Sequence, residues 1–248
     1  MRIAIVGGGI SGRAIEQAVI NRGATPQLFS RSTGFDVLHD DATRRLAGFD
    51  AIIEATGTFT TSKKTATEFF TRSTRALAAA ARNNGARHIL LSIVNCEHPD
   101  VQGYGYFAGK AAQESVARIE SENVSIIRTT QWFEFAEQNL ARLKVGPVSF
   151  IPQMTIQPVA LAAAAEVIVD FAVGQRKDST ADFAGPEVMT LWELTQQLPH
   201  TRRLTIPLPL PGRFGRAFRQ GVCLPGPDAE VIGPKLRQWL TARPAQHG

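Results

Sequence analysis

The sequence predicts an α/β fold, a doubly wound parallel sheet with helices on both faces, and three observations lead there. The chain opens on a short apolar run, Arg2 to Val6, that stops at a cluster of glycines. Strand-like and helix-like segments then alternate as far as Arg128. The strand-like segments are near-continuous apolar runs, as strands buried on both faces are. Alternation of this kind requires right-handed crossovers, which lay helices over both faces of one sheet.

Each element has its own signal. The run RIAIV (2–6) is the first strand. From Ile10 to Asn21, apolar residues at Ile10, Ala14, Ile15, Ala18 and Val19 recur at helical spacing, and Gly23 stands where a helix end is capped. Thr25 to Ser30 reads as the second strand and Ala51 to Ala55 (AIIEA) as the third. Ser62 to Asn84 is a long Ala-rich helix closed by Asn84-Gly85. A strand at His88 to Val94, a helix from about Gly105 to Ser121 and a strand at Val124 to Arg128 follow. Beyond Leu143 the prolines 147, 152 and 158 break the pattern before an Ala-rich helix at Val159 to Val173, and the tail is richer still in proline. The expected division is a core over 1–144 and a small C-terminal substrate lobe over 145–248.

Composition narrows the class. With 248 residues and 44% hydrophobic content the chain can bury one substantial core. Its two cysteines, Cys96 and Cys223, form neither a disulfide framework nor a metal-binding pair, so a reducing, cytoplasmic setting and no metal are expected. Met1-Arg2 leads straight into a strand, without the pattern of a signal peptide, and no apolar stretch approaches the roughly 18 residues that span a bilayer. A soluble protein without membrane partners is expected. The net charge of +5 suits a phosphate-bearing cofactor or an acidic substrate. Arg202, Arg203, Arg213, Arg216 and Arg219 make a basic tail without a nucleic-acid reading module, so no nucleic acid is expected.

Gly7-Gly8-Gly9-Ile10-Ser11-Gly12 matches GxGxxG between a strand and a helix, which is the context a dinucleotide-binding turn needs. In a Rossmann-type unit Gly7 makes the sharp turn, Gly9 admits the pyrophosphate and Gly12 lets helix and strand approach, while Ile10 and Ser11 open the helix whose amino end attracts anions. At the end of the second strand, where an acidic residue would hold the adenosine ribose of NAD, the chain reads Phe29-Ser30-Arg31-Ser32. A guanidinium between two hydroxyls suits a 2′-phosphate, so NADP(H) is favoured over NAD(H); the plain alternative is a solvated loop arginine.

Tyr106 and Lys110 stand at i and i+4 near the start of a helix and therefore share a face. A carbonyl reduction needs a proton donor for the developing alkoxide, and a tyrosine whose pKa is lowered by a neighbouring cation can serve. Ser92, at the end of the preceding strand, completes a Ser, Tyr and Lys set. Cys96 has no base beside it and reads as a packed cysteine, His39 and His98 as loop histidines, and Asp40-Asp41 as a helix cap.

With these residues the chain resembles the short-chain dehydrogenase/reductase superfamily, in its atypical, NmrA-like NAD(P)H-binding branch. The resemblance runs through GGGISG, LLSIV, YGYFAGKAAQES, IIRTTQWFEF, QPVALA, FAGPEVMTLWEL and IPLPLPGRFGRAFRQG. It implies that Ser92, Tyr106 and Lys110 are catalytic, with Tyr106 and Lys110 also on the cofactor. It further implies that Ala55, Thr56 and Gly57 border the cofactor's middle, that Thr129 and Thr130 border the nicotinamide, and that Asp41 lies near the adenine. Trp132 and Phe133 follow toward the nicotinamide and line a substrate pocket or pack in the core. The chain departs from the pattern in the short stretch Ser32 to Gly48 and in Ala160 to Ala165, where relatives usually carry an acidic residue. The implied activity is NAD(P)H-dependent reduction of a small carbonyl or quinone-like substrate by a monomer or homodimer. The alternatives are a non-catalytic NADP(H)-binding redox sensor and a sugar-nucleotide epimerase or dehydratase.

Overall fold

The computed structural model describes residues 1–199 and 204–243, so Arg202 and Arg203 of the basic tail lie outside the described residues. The chain runs β1 (Arg2–Val6), α1 (Ile10–Asn21), β2 (Thr25–Phe29), α2 (Ala42–Arg45), β3 (Ala51–Glu54), α3 (Lys63–Asn84), β4 (Arg87–Ile93), α4 (Gly105–Glu120) and β5 (Val124–Thr129). Then come α5 (Phe133–Arg142), β6 (Lys144–Val145), β7 (Val148–Pro152), β8 (Thr155–Ile156), α6 (Leu161–Ala172), β9 (Thr180–Ala184) and β10 (Met189–Thr190). The last elements are α7 (Leu191–Gln197), β11 (Leu204–Leu208), α8 (Gly212–Arg219), β12 (Glu230–Val231) and α9 (Leu236–Ala242).

Seven strands form one parallel sheet in the order β12-β9-β5-β4-β3-β1-β2. Successive side chains of a strand point to opposite faces, and β1 shows the result. Ile3 and Ile5 enter the layer shared with α1 and α6, while Ala4 and Val6 enter the layer shared with α2 and α3. The sheet is thus the Rossmann-type, doubly wound arrangement. From β1 the chain passes outward to β2 and then crosses back to β3, so the crevice between the carboxyl ends of β1 and β3 is the topological switch point where ligands bind.

Local chemistry accounts for the helix ends. Ser62 Oγ caps α3 by accepting from the Thr65 amide (3.3 Å), and Gly85 closes it in a left-handed turn at φ 60°. Helices α3 and α4 lie side by side because Gly109 has no side chain. A Cβ there would come within 2.6 Å of Phe70 and 2.9 Å of Ala66. Gly109→Val is therefore expected to lower stability by about 1–3 kcal/mol through overpacking, read as a fall in the urea midpoint; an unchanged midpoint would contradict the close approach.

Two regions carry information the sequence pattern lacks. The short stretch Ser32 to Gly48 contains no strand, only a 3₁₀ turn at Arg31–Thr33 and α2, so the sheet ends at β2. Phe35 and Phe49 fill that edge, each edge-on to Phe29 with ring centroids 5.5 Å apart. Of the segment expected as a lobe, 145–248, the elements α6, β9 and β12 return to the core: α6 lies beside α1, and β9 and β12 extend the main sheet past β5. The remainder, joined by α5 and β6 from just before it, builds a three-stranded sheet, β11-β7-β6, a β8-β10 pair and helices α7, α8 and α9 around a separate apolar cluster.

Candidate functional site

The glycine turn sits at the switch point. The Gly7 amide donates to Phe29 O (2.9 Å), and Gly7 has φ 137°, which side chains rarely tolerate. A Cβ at Gly7 would overlap the Ala55 carbonyl oxygen, and one at Gly12 would overlap the Gly7 carbonyl oxygen. These two glycines are required by the fold itself. Gly9 differs, because a Cβ there would meet no protein atom within 4 Å.

Gly9 is also the N-cap of α1, which has no side-chain cap and no acidic residue in its first turn. The first amide to bond back is Arg13, onto Gly9 O (3.2 Å), so the turn containing Ile10, Ser11 and Gly12 presents its positive end to open space. These features fit a dinucleotide pyrophosphate. A Cβ on Gly8 would fall 2.7 Å from Ser30 Cβ, so the end of β2 rests on the turn. There the Ser30 and Ser32 hydroxyls are 2.9 Å apart, and the exposed Arg31 side chain makes no hydrogen bond or ion pair among the described residues. On the β3 side, Ala55 lies against Gly7 and Gly57 faces open space. Asp41 lies in the loop before α2 and caps that helix, accepting from the Arg44 amide (3.1 Å).

Tyr106 and Lys110 occupy one face of α4 around Phe70. The Tyr106 ring stands edge-on to Phe70 at 5.8 Å, and Lys110 Nζ lies 4.9 Å from the centre of the same ring. Lys110 is buried and points inward, donating to Leu91 O (2.6 Å) and Gln113 Oε1 (2.6 Å). Burial pulls its pKa down to about 8, against the opposing charge of Glu54. Burial pushes the Tyr106 phenol up to about 12, and the cation that offsets this is Arg142. The expected lowering of the Tyr106 pKa by Lys110 is therefore not what the structure shows, because Leu91 O and Gln113 turn the ammonium toward the sheet.

Ser92 ends up in different company. Its Oγ is buried without a geometric hydrogen bond, although it lies near enough to the Glu114 carboxylate to help keep it ionised. Glu114 is held by Arg128 Nε (2.9 Å), the in-register neighbour of Ser92 on β5, and accepts from Cys96 Sγ (3.2 Å). Burial raises the Cys96 pKa to about 12, so this thiol is a packed group. No side-chain hydrogen bond joins Ser92, Tyr106 and Lys110 to one another among the described residues.

Beyond β5, Thr129 Oγ1 accepts from Trp132 Nε1 (3.1 Å) and Thr130 Oγ1 donates to Gln157 O (2.6 Å), so both hydroxyls are engaged within the protein. Trp132 is half-buried, whereas Phe133 is fully buried with its ring 4.9 Å from Trp239. Phe133 is thus a packed core residue. Tyr104 packs on Phe214 (5.7 Å) and Phe218 (5.8 Å) of α8.

One buried network escaped the sequence reading. Glu54, the last residue of β3, is fully buried and accepts from Thr56 (3.1 Å), Ser73 (3.1 Å), Thr74 (2.9 Å) and Gln113 (2.8 Å), while facing His88 Nε2 at 3.1 Å. Burial opposes its ionisation, and the His88 and Thr74 bonds overcome burial to hold its pKa below the ordinary value. His88 Nδ1 in turn meets Ser121 Oγ at 2.8 Å. Through Gln113 this carboxylate is linked to Lys110. A lone acidic residue inside the apolar run AIIEA is the signal that marks it.

No family model and no curated protein sequence matches the chain. Solved structures do resemble it. A short-chain dehydrogenase/reductase superfamily protein from Agrobacterium tumefaciens, with bound NAD, superposes at a TM-score of 0.66 with 14% identity, over 97% of this chain and 95% of that one. A nucleoside-diphosphate-sugar epimerase from Staphylococcus aureus gives 0.62 and 14%, over 98% and 97%. A dTDP-4-dehydrorhamnose reductase from Bacillus anthracis, in complex with NADP, gives 0.61 and 14%, over 84% of each chain. At these identities the likeness establishes the shared fold.

Proposed function

We propose that this chain is an NAD(P)H-dependent oxidoreductase of the short-chain dehydrogenase/reductase superfamily, reducing a small carbonyl or quinone-like compound. The observation that carries this reading is the uncapped amino end of α1 at the switch point, with space left over Gly9. When bound there, the nicotinamide supplies a hydride to the carbonyl carbon. Tyr106 gives its phenolic proton to the carbonyl oxygen, which completes the alcohol, and burial keeps that proton in place at neutral pH. Lys110 has three N–H donors, of which two hold Leu91 O and Gln113, and the third serves a ribose hydroxyl. Ser92, whose hydroxyl lies beside Glu114, orients the carbonyl oxygen, and Trp132 lines the substrate side. Ser30, Arg31 and Ser32 favour NADP(H), since they offer a fork and hydroxyls but no carboxylate. Both the reductase in complex with NADP and the protein with bound NAD share the fold, and the Arg31 loop decides the preference here.

A second reading, a non-catalytic NADP(H)-binding sensor, draws on the absence of side-chain hydrogen bonds between Ser92, Tyr106 and Lys110 among the described residues. Fluorescence titration with NADPH and NADH, followed by turnover on a panel of ketones and quinones, separates the two. NADPH binding with consumption supports the oxidoreductase, and binding without consumption across the panel supports the sensor. Gly9→Ala is expected to leave the melting temperature without cofactor unchanged, yet to weaken NADPH binding by roughly tenfold or more as amide bonds to the charged phosphates are lost. Equal affinity in the variant would remove the pyrophosphate from this turn.

A further inference from the structure

We infer that the substrate carries an anionic group, a carboxylate or a phosphate, and that Arg142 is the residue that holds it. The inference rests on the oxidoreductase reading and names the substrate class of that site. Arg142 ends α5, and its guanidinium carbon lies 5.0 Å over the ring of Phe59. Phe59 belongs to the loop that continues from Ala55-Thr56-Gly57 into α3, and it is 63% exposed. The arginine therefore reaches from the C-terminal elements across to the cofactor-side loop.

Arg142 is also within electrostatic range of Tyr104 and Tyr106. The charge of Arg142 lowers both phenols against the effect of burial, and Tyr104 in turn acts on Tyr106. The proposed proton donor and an exposed guanidinium are thus electrostatic neighbours, on elements separated in the chain.

Like Arg31, Arg142 has no carboxylate partner among the described residues, but unlike Arg31 it lies over an aromatic ring. Among the described residues, Arg213 pairs with Asp100, Arg128 with Glu114 and Arg243 with Glu137. The Arg142 side chain makes no ion pair and no hydrogen bond among the described residues. The acids of its own helix are engaged elsewhere, Glu137 by Arg243 and Glu134 by the Leu161 amide at the start of α6 (3.4 Å). An arginine placed only to offset the dipole of α5 would lie back over the last carbonyls. This one extends over an exposed ring instead, a position in which stacking pre-sets the planar fork for a two-oxygen partner.

Matched pairs test the idea: 2-oxobutanoate against its methyl ester for a carboxylate, and dihydroxyacetone phosphate against dihydroxyacetone for a phosphate. With NADPH-loaded protein, the anionic member of one pair is expected to show the higher kcat/KM. Arg142→Gln should cost that anion roughly 10- to 100-fold more than its neutral partner, mostly in KM, as a charged hydrogen-bonding partner is removed, and Arg142→Lys should restore part of the loss. The pair that responds identifies the anion. Equal losses on charged and neutral members, or no preference for either anion, would overturn the assignment. Calorimetric titration of the same four compounds onto NADPH-loaded protein keeps the two readings apart. Anion binding that disappears in Arg142→Gln without turnover in any protein supports the anchor and counts against the reductase, whereas turnover of the neutral members alone does the reverse.

Discussion

Tyr106→Phe is expected to lower kcat by a factor of about 10² to 10⁴, the range for loss of a positioned proton donor, while NADPH affinity changes little. The ring is retained, so its edge-on contacts with Phe70 and Phe107 persist and the fold is not disturbed. Only the proton is missing. Because burial pushes this phenol up to about 12, it stays protonated through neutral and mildly alkaline pH. Any fall in rate near pH 8 therefore belongs to another group, and Lys110, held at about 8, is the one that loses its charge there. Steady-state rates of the variant and a wild-type pH profile check both points. Turnover untouched by the substitution would eliminate Tyr106 as the donor.

The second large effect concerns stability. Glu54→Gln should cost about 3–5 kcal/mol, the scale for removing one partner of a buried charged pair, and should appear as a large fall in the urea midpoint. A carboxamide keeps the shape but places a donor where Thr56, Ser73, Thr74, Gln113 and His88 converge on an acceptor. The pH dependence follows from the directions of the shifts. Glu54 titrates below its ordinary 4.5 in the folded protein, so its contribution is complete above that pH and is lost as pH falls through the folded value. Lys110 is also depressed, from 10.5 to about 8. Between those values the unfolded chain binds the extra proton, so stability rises with pH across that window. Lys110→Met should flatten the rise. Urea midpoints from about pH 4 to 10 would show both limbs, and a flat profile for the wild type would refute the buried network.

Much of the core was legible because its signals are local. Predicted and observed elements from β1 to β5 agree to within a residue or two, since buried parallel strands are continuous apolar runs and Ser62 and Gly85 mark helix ends by themselves. Past Leu143 the strands are short, several are two residues long, and proline interrupts them, so pairing across the chain decides them rather than periodicity. Spacing placed Tyr106 and Lys110 on one face of α4, but it could not say which way Lys110 would turn. That direction depends on Leu91 O and Gln113, which only the packed sheet supplies. The partners of Glu54 are likewise scattered from Thr56 to Gln113 and meet only through the fold. Arg142 gave no sequence signal, because its place over Phe59 depends on how α5 packs against the loop before α3.

The return of α6, β9 and β12 to the main sheet limits how the C-terminal segments can move. A lobe hung on a single linker could swing open like a door. Here the chain enters and leaves the core repeatedly: α5 to β8 are inserted between β5 and α6, and the segment from β10 through α8 between β9 and β12. Each insertion is anchored at both ends in the sheet layers. Motion of these insertions must then come from local sliding and side-chain rearrangement around α5 and α8 rather than from the swing of a separate lobe.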